Sequence, residues 1–132
     1  MVTDPIADML TTIRNSLEKK HEYVSIPYSR MKAEVLEVLK KKKMIEDYLV
    51  IDAEKITKKA LKITLKYISG KPAITLLQRV SKPGKRVYTD YKNIPVVKNN
   101  YGFMIISTSK GIKDTFSARK EQVGGEIMCQ VL

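Results

Sequence analysis

The chain has 132 residues, is 43% hydrophobic, and carries 25 Lys and Arg against 14 Asp and Glu, a net charge of +11. That length holds one ordinary domain or two very small ones, and the hydrophobic content excludes a disordered tail. No apolar run approaches the ~18 residues of a membrane span, acids Asp4 and Asp8 stand where a secretory signal has cations, and the single Cys129 cannot form an internal disulfide, which points to a reducing cytoplasmic compartment.

In chain order, Asp4 is placed to cap a first helix, with Pro5 at its first position, where a missing N–H costs nothing. Ile6, Met9, Leu10, Ile13 and Leu17 recur at helical spacing and form its core stripe. Residues 23–27 read as a short strand ended by Pro27. Ser29 caps a second helix whose buried face is expected to be Met31, Val35, Leu36, Val38 and Leu39. Lys40 to Lys43 fall in its last turn, where cations complement the helix dipole; polyanion contact fits that run equally well.

Residues 45–51 read as a strand. Residues 61–68 form a cleaner one, with Leu61, Ile63, Leu65 and Tyr67 alternating against Lys62, Thr64 and Lys66. Ser69-Gly70-Lys71-Pro72 is a turn and the expected domain boundary, giving an N-terminal α-β-α-β-β domain over 1–70 and a β-rich domain over 71–132. In the second domain, 73–80 is expected as a strand, Ser81-Lys82-Pro83-Gly84 as a type II turn, and 85–88 as a resumed strand. Residues 101–108 form an apolar β run broken by Gly111, with Ile112 and Lys113 continuing it. Asp114 or Thr115 caps a short helix through Lys120, closed by Gly124-Gly125, and 126–132 is the last strand with Ile127, Cys129 and Val131 on one face. The fold class is α/β (α+β), the second part mainly antiparallel with short helices.

The charge is unevenly placed. Positions 1–70 hold 14 basic and 10 acidic residues, positions 71–132 hold 11 and 4, and no acid occurs from Lys55 through Thr89. A solvated lysine face usually mixes both signs, so this asymmetry favours a polyanion surface. Enzymatic chemistry finds no support. The lone His21 has no neighbouring metal ligand and no nucleophilic constellation to serve, Cys129 sits among Ile127, Met128 and Val131, and neither a Walker nor a dinucleotide pattern is present. No cofactor is expected.

Three segments carry the expected binding chemistry. Ser107-Thr108-Ser109-Lys110-Gly111 puts three hydroxyls, a cation and a flexible glycine together; hydroxyls donate to phosphate and 2′-OH groups, although the same residues make an ordinary turn that satisfies its own backbone. Ser81 to Tyr88 interleaves Lys82, Lys85 and Arg86 with Tyr88, which either stacks on an unpaired base, worth ~1–3 kcal/mol, or packs into the core. In Val123-Gly124-Gly125-Glu126 the glycines permit close backbone approach to a partner, while Glu126 either accepts from a base amino group or holds the hydroxyl loop. Lys55, at the head of the acid-free run, joins the expected contacts.

Together these segments, in order, resemble the bacterial-type small-subunit ribosomal protein family numbered eight. Asp4-Pro5-Ile6-Ala7-Asp8-Met9-Leu10 with Ile13-Arg14-Asn15 looks like the family's opening helix. Ser81-Lys82-Pro83-Gly84 with Arg86-Val87-Tyr88 is similar to its central turn, and Ser107 to Gly111, Ala118-Arg119 and Gly124-Gly125-Glu126 to its C-terminal signature. Where the family often reads Gly-Leu-Gly, this chain has Asn100-Tyr101-Gly102. The resemblance implies a two-part α/β fold and a non-catalytic role in the small ribosomal subunit. It implies direct binding to the central domain of small-subunit ribosomal RNA at an irregular helix, contact with neighbouring small-subunit proteins, and a part in assembly. Binding to a similar structure in the messenger RNA of its own operon is a further implied activity. The family's hydroxyl loop maps onto Ser107, Thr108, Ser109 and Lys110, and its acidic partner onto Glu126.

Overall fold

A computed structural model describes residues 4–52, 59–95 and 102–132, and it is a mixed α+β protein. The chain divides into two compact units. One is Asp8–Ile74; the other is Thr75–Leu132 together with residues 4–7.

In the first unit, helix α1 (Pro5–Glu18) continues from its start in the other unit. Asp4 accepts from the Ala7 amide at 3.2 Å, and Ile6, Met9, Leu10, Ile13 and Leu17 are all buried, as the helical spacing requires. Strand β1 (Tyr23–Pro27) leads to helix α2 (Arg30–Lys41), capped by Ser29, which accepts from the Lys32 amide. β2 (Ile45–Asp52) and β3 (Lys59–Leu65) complete an antiparallel sheet in the order β1-β3-β2, and the α-β-α-β-β succession stands. α2 packs on β2, where the Tyr48 hydroxyl donates to Glu37 at 2.8 Å. Leu61, Ile63 and Leu65 are buried, each such side chain contributing about 2 kcal/mol.

Two expectations here need correction. Met31 is exposed rather than part of the buried face of α2; its spacing aligns it with Val35 and Val38, but it stands in the first turn, at the end of the stripe that Val35, Leu36, Val38 and Leu39 bury. The strand expected over 61–68 ends at Leu65. Tyr67–Ile68 (β4) pairs instead with Lys71–Pro72 (β5), because Ser69 and Gly70 both take positive φ, 52° and 79°, and close a two-residue hairpin.

The second unit is built on a five-stranded sheet of β6 (Leu77–Arg79), β7 (Tyr88–Thr89), β8 (Phe103–Thr108), β9 (Gly111–Asp114) and β10 (Gly125–Val131). β10 pairs with β6 and β7 along one edge and with β8 along the other. A 3-10 turn at Tyr91–Asn93 and helix α3 (Thr115–Lys120) lie between strands, and Ile94, Ala118 and Val123 pack with Ile106 of β8.

The sequence reading and the structure part at several places in this unit. Only Leu77–Arg79 of the strand expected over 73–80 forms, since the Thr75 and Leu76 amides both donate to the Leu132 carbonyl. The strand expected from Lys85 begins at Tyr88. Gly84 has no positive φ, so the Pro83-Gly84 turn is not type II; Lys82 and Lys85 close it by exchanging backbone hydrogen bonds at 3.0 and 2.9 Å. The chain does not continue past Gly111 but reverses there, with Thr108 paired to Gly111 across a hairpin and Gly111 at φ 107°. α3 is capped by Asp114, and its C-terminus is closed by Gln122 in the left-handed region, not by the glycine pair: the Val123 amide returns to the Ala118 carbonyl. A bulge at Met128 buries Ile127, Met128 and Cys129 consecutively.

Candidate nucleic-acid interface

β10 is the axis of the site. Gly125 pairs with Thr89 on one side and Thr108 on the other; Glu126 pairs with Tyr88 and Ser107. Directly paired residues of antiparallel strands share a face, so Tyr88, Glu126 and Ser107 form one row across the sheet. Segments around 88, 107 and 126, far apart in sequence, are thereby brought side by side.

The glycine pair makes that possible, and the close approach is to the chain's own backbone. A Cβ on Gly125 would run into the Ser107 carbonyl oxygen, and one on Gly124 would meet the Thr89 carbonyl oxygen and lie 2.7 Å from Asp90 Cα. Neither glycine has positive φ. Their need is for space, not conformation.

The turn at 81–88 is clamped to β10. Ser81 is wholly buried; its hydroxyl donates to Glu126 Oε2 at 2.6 Å and accepts from the Val87 amide at 3.1 Å. Arg86 Nη1 donates to the same carboxylate oxygen at 3.2 Å. Glu126 therefore holds the basic turn, whereas the sequence offered a base contact or a hold on the hydroxyl loop. Tyr88 is 70% exposed, which removes the core reading of its ring.

The hairpin at 107–111 closes on itself. Thr108 Oγ1 donates to the Gly111 carbonyl at 2.7 Å and accepts from the Lys110 amide at 3.1 Å. The Ser107 and Ser109 hydroxyls make no hydrogen bond among the described residues, and Ser109 and Lys110 are exposed at the tip.

Charge in this unit is sorted the same way. Asp90 caps the 3-10 turn, Asp114 caps α3, Glu121 pairs with Lys113 at 2.9 Å, and Glu126 holds Ser81 and Arg86. Lys82, Lys85 and Lys110 are exposed and make no ion pair among the described residues. The acids are used internally and the lysines left to solvent, so the surface field is positive.

The acid-free run does not form one patch. Lys59 lies 5.9 Å over the Tyr28 ring and Lys62 4.1 Å over the Tyr23 ring, both in the first unit. Arg79, also within that run, is not an available cation: its side chain is 11% exposed, with Nε on Asp4 at 3.1 Å and Nη1 on the Met128 carbonyl at 2.6 Å. Lys55 and Lys58 lie outside the described residues, as do Asn100 and Tyr101. In the lysine run after α2, Lys40 pairs with Asp47 at 3.0 Å and Lys43 takes φ 61° just past the helix end.

Sequence reasoning missed Ser81 as a buried hub. The available signal was Glu126 itself, a carboxylate flanking the apolar Ile127-Met128-Cys129 stretch that needs internal donors. Cys129 is wholly buried, and burial pushes its thiol up to about 12, outweighing the nearby Arg79 guanidinium; such a thiol is inert at neutral pH. Among the described residues no group of His, Cys, Asp and Glu is arranged to hold a metal.

Fold and surface thus define a mixed α+β protein that displays cations, unbonded hydroxyls and an exposed aromatic ring on one sheet. Comparison with known proteins makes this specific. The family model for ribosomal protein S8 matches residues 4–132. The chain is 50% identical over 131 residues to the small ribosomal subunit protein uS8 of Mycoplasmopsis pulmonis, covering 99% of this chain and 98% of the relative. It is 47% identical to that of Nitratidesulfovibrio vulgaris strain DP4, covering 99% of both, and 49% identical to that of Chloroflexus aurantiacus, covering 98% of both. The chain belongs to the ribosomal protein S8 family.

Proposed function

We propose that this chain is a non-enzymatic structural constituent of the small ribosomal subunit of the cytoplasmic ribosome. It binds directly to an irregular helix in the central domain of small-subunit ribosomal RNA, supports subunit assembly and translation, and contacts neighbouring small-subunit proteins. The observation that carries this is the pairing of Gly125 and Glu126 with Tyr88-Thr89 on one side and Ser107-Thr108 on the other. It unites three segments into one row beside lysines that have no carboxylate partner among the described residues.

A-form RNA hides its base edges in a deep major groove, so a protein reads shape, 2′-hydroxyls and distorted bases. In that role Lys82, Lys85, Arg86 and Lys110 attract phosphate. Ser107 and Ser109, with unbonded hydroxyls, set register on sugar and base edges, while Thr108 shapes the hairpin. Tyr88 offers a ring face to an unstacked base. Gly124 and Gly125 let the strands converge, and Lys55 is a further phosphate contact in this reading. The same surface serves a similar fold in the messenger RNA of the chain's own operon.

Filter binding to the central-domain helix across a salt series tests the reading. With these five cations engaged, log K against log salt has a slope of about −4. A flat slope, or equal affinity for an unstructured RNA of the same length, overturns it.

A further inference from the structure

We propose that Ser81 is a positioning residue for RNA binding, acting through Glu126 to fix the basic turn and Tyr88 against β10. This rests on the RNA reading above. Ser81 is 0% exposed, so it cannot touch RNA itself. Its hydroxyl makes one donation, to Glu126, and one acceptance, from the Val87 amide.

Those two bonds act at different points. The Val87 bond closes the neck of the loop that displays Lys82, Lys85 and Arg86, inside which Lys82 and Lys85 are already bridged. The Glu126 bond fastens that neck to the strand carrying the row Tyr88, Glu126 and Ser107. A short hydroxyl-to-carboxylate bond is among the stronger kinds, and here it serves a further end. A carboxylate at the centre of a phosphate-binding surface repels its ligand. Ser81 turns Glu126 inward, with Arg86, whose side chain is 44% exposed, as the second donor. Without the hydroxyl, Glu126 keeps only Arg86, and phosphate competes for that same guanidinium. The Val87 amide at the same time loses its acceptor.

The test uses the full chain and the central-domain rRNA helix. Ser81→Ala is close to isosteric and remains folded, and it binds about tenfold more weakly. Glu126→Ala loses a similar factor, and the double variant is little worse than either, because both changes break one network. Glu126→Gln, which keeps an acceptor for the Ser81 hydroxyl, loses less than Glu126→Ala. Ile63→Val in the first unit lowers thermal stability without weakening binding, which separates positioning from general destabilisation. Wild-type affinity in Ser81→Ala, or a loss no greater than that of Ile63→Val, or fully additive losses in the double variant, would overturn the proposal while leaving the RNA reading intact. A wild-type chain that binds no structured RNA removes both.

Discussion

On one side of β10 the turn at 81–88 is held from outside, by a carboxylate of a strand some 40 residues away that accepts from the turn's own Ser81 hydroxyl and Arg86. On the other, the hairpin at 107–111 needs nothing beyond itself: Thr108 bonds both the Lys110 amide and the Gly111 carbonyl, and Gly111 takes the positive φ that lets the chain reverse. The first arrangement displays cations and an aromatic ring on a segment of eight residues, which is fastened by bonds to another strand as well as by its own. The second displays two hydroxyls on a hairpin short enough to be self-supporting. A side chain that shapes a loop is not available to a ligand, and the hairpin divides the two tasks within one Ser-Thr-Ser run: Thr108 shapes, Ser107 and Ser109 remain unbonded.

The change that should erase the difference between the two sides is at their common axis. Gly125→Ala forces a methyl into the Ser107 carbonyl, and since strained overpacking costs about 1–3 kcal/mol or more, we expect at least 3 kcal/mol lost in chemical denaturation and weaker RNA binding with it. Tolerance of alanine would mean that β8 and β10 are not this close. Splitting the hydroxyl run sharpens the comparison. Thr108→Ala costs about 1 kcal/mol of stability through its two lost bonds. Ser107→Ala with Ser109→Ala leaves stability within about 0.5 kcal/mol yet weakens RNA binding about tenfold; the reverse pattern, read by parallel denaturation and filter binding, contradicts the division of roles. Lys110→Gln is a smaller perturbation, reducing the salt slope by about 1 and weakening different RNAs alike. Least of all, Lys40→Gln with Lys41→Gln, in the other unit, removes the exposed ion pair to Asp47 with little effect on stability and leaves RNA affinity unchanged; a larger loss of affinity than that of Lys110→Gln puts the RNA on the wrong unit.

The helical elements were legible because local chemistry decides them. Asp4 and Ser29 cap α1 and α2 as their side chains suggest, and the stripes they begin are buried, apart from Met31. Period-two alternation likewise found β3. What could not be read was partner choice. The run 61–68 alternates throughout, yet a hairpin at Ser69-Gly70 takes Tyr67 and Ile68 away from it. The apolar run after Gly102 gave no sign that Gly111 marks a reversal. The three binding segments were each visible as chemistry, but their convergence on β10 is set by strand register between positions remote in sequence. Glu126 shows the limit best. Its charge was conspicuous, whereas its partner Ser81 looks like any turn serine until burial and a 2.6 Å bond single it out.

Hydroxyl-radical footprinting of the full chain with the central-domain rRNA helix tests the central claim most directly, because two exposed tyrosines report on the two units in one experiment. Tyr88 is 70% exposed in the β-rich unit and Tyr23 47% exposed in the other. RNA should protect Tyr88 and leave the oxidation of Tyr23 unchanged. Protection of Tyr23 with Tyr88 still fully reactive would contradict the account.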